Sequence, residues 1–286
     1  MPSSPAGPAA APKKARAAAL AAAAVIALAA CSGGSDGDGG GSAAPSTTAA
    51  VPGGSTSPRV AGPSLVPTGT VGPLSADSDA LSIIATANEA LRIAPSFLYT
   101  ATSVTSGGTT TVTSLQVAAD GTAMGTITTG ASVTGIRIKD LDMWVTGPTG
   151  FWSEQLKLGS GGQAVVAGKW VKTSRANAYF AAFSYSASTA GVAEQVFASL
   201  QDATLTKTGT VEIDGAPAIG INDNAGSIYY VALNAPYQLL KIEPDPAKAG
   251  TTATRNTVAI TQWGAPVPFE PPPADQVIAF DSIPKG

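Results

Sequence analysis

Cys31 is the only cysteine among 286 residues, and the chain has no histidine. Without histidine there is no Ser-His or Cys-His nucleophile pair and no His-bearing zinc site. The commonest general base near neutral pH is also missing. Two acidic pairs remain. Asp140 and Asp142 flank Leu141, and Glu212 and Asp214 flank Ile213. On a strand such pairs share one face, but both sit at turn signals and read as solvated junctions. Asn222-Asp-Asn-Ala-Gly226 has the composition of a cation loop. The same residue types serve turns for backbone reasons, and no metal site is assigned. Trp144, Trp152, Trp170 and Trp263 are candidates for a sugar-stacking platform or for core and rim aromatics. No catalytic residue and no cofactor is assigned, and a non-enzymatic protein is expected.

The chemistry of Cys31 follows from its neighbours. Lys13, Lys14 and Arg16 precede an apolar run from Ala17 to Ala30, which ends in Leu28-Ala-Ala-Cys31. A basic stretch, a short apolar stretch and small residues before a cut describe an export signal. The run falls short of the roughly 20 apolar residues of a membrane-spanning helix. A cysteine directly after the small residues resembles the lipobox of bacterial lipoproteins. That resemblance implies acylation of Cys31 and cleavage just before it, with 1–30 removed. An ordinary secretion signal, with Cys31 a bystander, is the alternative.

Removing the signal moves the formal charge from -3 to -6, because three of 16 basic residues and none of 19 acidic residues precede Cys31. An acidic chain is poorly matched to nucleic acid. One cysteine cannot build a disulfide framework, so the fold must bury a real hydrophobic core.

Residues 31–74 form a tether: after Cys31, Ser32 to Leu74 is Gly/Ser/Thr/Pro/Ala-rich with no aromatic residue. Such a segment cannot bury enough apolar surface to offset its ordering entropy. As a coil it reaches roughly 35–40 Å. The folded domain is expected over 75–286. Asp77 or Ser78 is positioned to cap a helix that Pro95 stops. Five strands follow, between Phe97 and Thr146, with Asp120-Gly121 a hairpin signal. Gly159-Ser-Gly-Gly162 reads as flexible. Two Ala-rich helices follow, over Asn177–Tyr185 and Ala190–Leu200. Strands resume from Thr204, with a second hairpin at Asp214-Gly215. Tight turns imply antiparallel pairing. The expectation is an α+β domain: a large curved antiparallel sheet of about ten strands, a half-barrel, with helices covering its concave face.

Three short strings resemble the actinobacterial lipid-carrier lipoproteins of the LppX/LprG type, which share the LolA-like half-barrel. They are Asp140-Leu-Asp-Met-Trp-Val145, Gly168-Lys-Trp-Val-Lys172 and Pro273-Ala-Asp-Gln-Val277. The likeness runs over roughly Asp77 to Phe280. It implies a cavity under the helices that receives the acyl chains of a lipid or lipoglycan. It also implies attachment to the extracytoplasmic face of the cell membrane through the lipidated N-terminus. Alternating apolar positions make one sheet face greasy. Val117, Ile127, Ile136, Ile138, Val211 and Ile221 are the expected cavity residues. A filled core has the same pattern, and would leave an envelope module that docks a protein partner.

Overall fold

A computed structural model describes residues 73–248 and 254–284. The expected signal, Cys31 and nearly all of the expected tether lie outside the described residues. Leu74, the last tether residue, is buried in the core.

The first helix, α1, spans Ala80–Ile93. Its cap is Asp79, one or two residues beyond the expected position. The Asp79 carboxylate accepts from the Ser82 backbone N–H at 2.9 Å and from the Ser82 hydroxyl at 2.6 Å. These bonds satisfy a donor that a helix start leaves unpaired. The buried stripe of α1 includes Ile83, Ile84, Ala87 and Leu91, the spacing of a helix with one face on a core.

The strands are β1 (Ser96–Thr105), β2 (Thr110–Ala118), β3 (Ala123–Thr129), β4 (Ser132–Lys139), β5 (Asp142–Thr146), β6 (Trp170–Ser174), β7 (Thr206–Ile213), β8 (Ala216–Asn222), β9 (Ser227–Ala232), β10 (Leu239–Pro244), β11 (Thr254–Thr261) and β12 (Val277–Ala279). They form one twelve-stranded open sheet, ordered β12-β6-β5-β4-β3-β2-β1-β11-β10-β9-β8-β7. This is the expected curved α+β half-barrel, with two strands more than anticipated. One pairing departs from expectation: β12 runs parallel to β6.

The reason for the parallel edge is the Pro-rich segment before β12. It crosses the outer face of β1–β6 as a strap. Gln116 donates to the Pro266 carbonyl at 3.1 Å and Arg137 to the Glu270 carbonyl at 2.6 Å. Phe269 lies 6.0 Å from the Trp144 ring and under the Lys139 ammonium. Having crossed the face, the chain can enter the far edge only in the direction of β6.

Between β5 and β7 lie α2 (Thr149–Leu156), α3 (Ser160–Val166), α4 (Ala181–Tyr185) and α5 (Thr189–Phe197). The Gly-rich segment expected to be flexible is the start of α3. Gly162 allows close packing there, since a Cβ on it would stand 2.9 Å from the Pro284 carbonyl oxygen. Helix α1 packs on α5 and against β9 and β10, and the Thr189 hydroxyl donates to the Arg92 carbonyl at 3.1 Å. Aromatic rings join α2, α4 and the C-terminal turn: Phe151 to Phe183, Phe183 to Phe180, and Phe180 to Phe280 at 6.0 Å. Among the described residues no helix is long and apolar enough to cross a membrane.

Candidate functional site: the concave face of the sheet

The strand registers place inward side chains in rows across the sheet. The lowest row runs through Met143, Ile138, Ala123, Val117 and Phe97. The second starts at Val171 and passes Val145, Ile136, Gly125, Leu115 and Tyr99 to reach Ile260. The third continues around the sheet through Ile127, Thr113, Ala101, Val258, Ile242, Tyr229 and Ile221. Neighbouring strands are about 4.8 Å apart and successive rows about 6.7 Å apart. Three rows therefore make an apolar surface about 13 Å deep that follows the bend of the sheet.

Five of the six expected cavity residues fall on these rows. Val117 and Ile138 are in the lowest, Ile136 in the second, and Ile127 and Ile221 in the third. Val117, Ile138 and Ile221 are 0 % exposed, and Ile136 and Ile127 are 2 % and 4 % exposed. Val211 is elsewhere: it is 41 % exposed on the edge strand β7. The register explains the difference. A bulge between Lys207 and Gly209 shifts the pairing, so Lys207 faces Ile221 but Val211 faces Ala218. One extra residue reverses which side of the sheet a chain presents. Phase counted along β7 from sequence alone misses it.

The roof is apolar where it meets these rows. Ile83, Ile84 and Leu91 of α1, Val192, Val196 and Phe197 of α5, and Phe151 and Trp152 of α2 belong to the same buried cluster as the sheet residues. Phe197 stacks on Tyr229 at 6.1 Å. Burial pushes the Tyr229 phenol up to about 12 and raises the Tyr99 phenol as well. Both rings stay neutral at physiological pH and act as apolar lining. Hydrocarbon laid against a surface of this kind gains about 0.8 kcal/mol for each methylene removed from water.

The tryptophans do not converge. Trp152 is fully buried and donates to the Gly147 carbonyl at 3.0 Å. Trp263 packs on Phe97 at 5.6 Å. Trp144 and Trp170 lie on the outer face beneath Lys172 and Arg137. Asp142 pairs with Lys172 at 2.7 Å, and Asp140 occupies a turn at φ 53°. Among the described residues no group of three or more His, Cys, Asp or Glu is placed to hold a metal ion.

Solved structures similar to this chain include two mycobacterial lipoproteins. The lipoprotein LppX of Mycobacterium tuberculosis matches with 16 % identity over 66 % of this chain and 97 % of its own, with a TM-score of 0.41. LprF of Mycobacterium bovis matches with 11 % identity over 66 % of this chain and 95 % of its own, with a TM-score of 0.40. A LolA superfamily protein of Nitrosomonas europaea matches with 10 % identity over 64 % of this chain and 92 % of its own, with a TM-score of 0.24. No protein-family model matches the sequence, and no curated protein does.

Proposed function

We propose that this chain is a lipid-anchored envelope lipoprotein that holds the acyl chains of a lipid against the concave face of its half-barrel. In this reading residues 1–30 direct export, Cys31 carries the anchor, the segment that follows is a tether ending before Leu74, which the core buries, and the rest of the chain forms the carrier. The protein works on the extracytoplasmic face of the membrane and carries out no bond chemistry. The observation that carries the reading is the run of apolar rows across as many as seven strands, roofed by helices of 5 to 14 residues. Short helices joined by turns can shift one at a time, whereas a single long helix would have to leave as a unit. Entry of an acyl chain displaces roof side chains such as Phe151 and Phe183 and replaces their contacts with its own methylenes.

The near-zero exposure of Val117, Ile138 and Ile221 favours a second reading. If the roof never yields, the interior is an ordinary core, and the domain is an envelope module that docks a protein partner. Uptake of a fluorescent fatty-acid analogue by detergent-stripped protein separates the two. The carrier takes up the probe at defined stoichiometry, and Ile136→Trp, which fills the second row, lowers the uptake. A stripped protein that leaves the probe in water is the scaffold.

A further inference from the structure

The two most exposed large apolar side chains among the described residues are Leu141, at 78 %, and Ile93, at 63 %. Both stand at one rim of the sheet, the end beside the lowest apolar row. Leu141 is in the β4–β5 turn, and its carbonyl accepts from the Arg175 backbone N–H at 2.8 Å. The Arg175 guanidinium donates to the Gly121 carbonyl of the β2–β3 turn at 3.3 Å and to the Ser184 carbonyl at 3.4 Å. Tyr185, 42 % exposed, is the next residue along α4. In the same β2–β3 turn the Ala119 N–H donates to the Pro95 carbonyl at 2.9 Å, which sets the end of α1, and with it Ile93, beside the turn. Three apolar side chains on three elements therefore share one rim.

The segment that supplies Tyr185 carries no charge. No Asp, Glu, Lys or Arg occurs from Ala176 to Ala193, a run that includes α4 and the first half of α5. A surface that stays in water normally has charges of both signs interspersed. Tyr179, in the same run, is 54 % exposed. A tyrosine suits a boundary between oil and water, with an apolar ring and a polar tip. The charges around the rim cancel. Arg92 pairs with Glu89 at 2.8 Å and Lys172 with Asp142 at 2.7 Å. Lys139 and Arg175 both attract Asp120, and Asp140 is in the turn beside Leu141. Helix α1 separates this rim from the place where the chain enters the domain. Its 14 residues run about 21 Å from the entering segment to Ile93.

We infer that this rim docks on the surface of the bilayer, with Leu141 and Ile93 entering the head-group region and Tyr185 at its boundary. The tether makes the bilayer the occupant. Its reach of roughly 35–40 Å exceeds the length of α1, so a domain held at Cys31 can turn the far end of α1 onto the membrane. The inference rests on the anchored-lipoprotein reading and adds the surface that meets the bilayer and the orientation of the domain. Because the rim is neutral, removal of apolar surface from water drives the contact. Neither anionic lipid nor low salt is required.

The test uses the full chain with Cys31→Ala, which leaves no other cysteine. A nitrobenzoxadiazole label is attached through Leu141→Cys. The control carries it through Leu81→Cys, 54 % exposed near the other end of α1. On mixing with phosphatidylcholine vesicles, the label at 141 should brighten several-fold and shift to the blue, while the label at 81 stays dark. Adding phosphatidylglycerol to the vesicles, or raising the salt, should change the affinity by less than about twofold. Ile93→Gln, a change at an exposed position, should weaken vesicle binding about tenfold, the worth of burying part of one isoleucine. A dark label at 141, or equal brightening at both positions, overturns the docking rim. Binding through the N-terminal apolar run alone leaves both labels dark and so counts against it. Brightening that needs no vesicles and grows with protein concentration makes the rim a contact between copies and overturns it as well. Acylation of Cys31 in the wild type is read separately by mass, so the anchor stands or falls on its own result.

Discussion

Replacing Gly125 by alanine is expected to cost this domain about 3 kcal/mol. Gly125 is in the second apolar row, between Ile136 and Leu115. An added Cβ would stand 2.0 Å from the Ser114 carbonyl oxygen and 2.8 Å from Leu115 Cα. Both obstacles are backbone of the neighbouring strand, so no side-chain rotation relieves them. Strand β2 must move away, which opens the bend that creates the concave face. Overpacking a tight site costs typically 1–3 kcal/mol, and an immovable neighbour puts this case at the upper end. At about 2–4 °C per kcal/mol for a domain of this size, the melting temperature should fall by about 6–12 °C. Urea unfolding followed by tryptophan fluorescence measures the loss, because Trp263 rests on Phe97 of the lowest row. Gly150→Ala is the control. It lies in α2 with nothing within 4 Å of an added Cβ, and should stabilise by up to about 1 kcal/mol through helix propensity. A loss at Gly125 below about 0.5 kcal/mol would refute the close approach of β2 and β3, and with it the tight curvature at the centre of the sheet.

Other expectations follow from single groups. Thr113→Val removes a buried hydroxyl that has no partner among the described residues while keeping the shape, so the lipid-free protein should gain about 1–2 kcal/mol; a loss in chemical denaturation would mean the hydroxyl has a partner. Asp79→Ala should cost about 1 kcal/mol, as loss of a helix cap does, measured by thermal unfolding at neutral pH. The Ser82 side-chain and backbone bonds lower the Asp79 pKa below the ordinary value. Its contribution is therefore complete above the unfolded carboxyl's pKa of about 3.9 and is lost as pH falls through the lower folded value. The wild-type and alanine proteins should converge in stability as pH falls through that lower folded value, and a difference that persists in strong acid would contradict the cap. Cys31→Ala should move the protein from the membrane fraction to the medium or leave an uncut precursor; unchanged acylation would remove the anchor from the scheme.

Much of the strand content was legible because the local signals are strong. Asp120-Gly121 and Asp214-Gly215 each join a hairpin, and both Asp214 and Gly215 have positive φ, at 48° and 80°, as the tight hairpin turn requires. The alternation of Val117 with Leu115, and of Ile136 with Ile138, is visible in the sequence and survives in the rows. What escaped depends on contacts between distant segments. The bulge before Gly209 is invisible to a count of alternation, and it turned Val211 outward. The glycines of α3 read as flexible because nothing local shows Pro284 packed beside Gly162. The parallel direction of β12 follows from a strap anchored by Gln116 and Arg137, more than 100 residues earlier in the chain. A row of polar side chains across β3, β2, β1 and β11, two residues beyond the third apolar row, also escaped. Thr129, Thr111, Ser103 and Asn256 are unremarkable in a Thr-rich chain, and only the registers of four strands bring them side by side.

The most direct measurement is native mass spectrometry of the full-length chain after gentle extraction from membranes. The carrier reading predicts a mass above that of the acylated polypeptide by one lipid, lost on organic extraction and regained on incubation with acyl lipid. A single mass equal to the acylated polypeptide alone, unchanged by extraction or by added lipid, would contradict it.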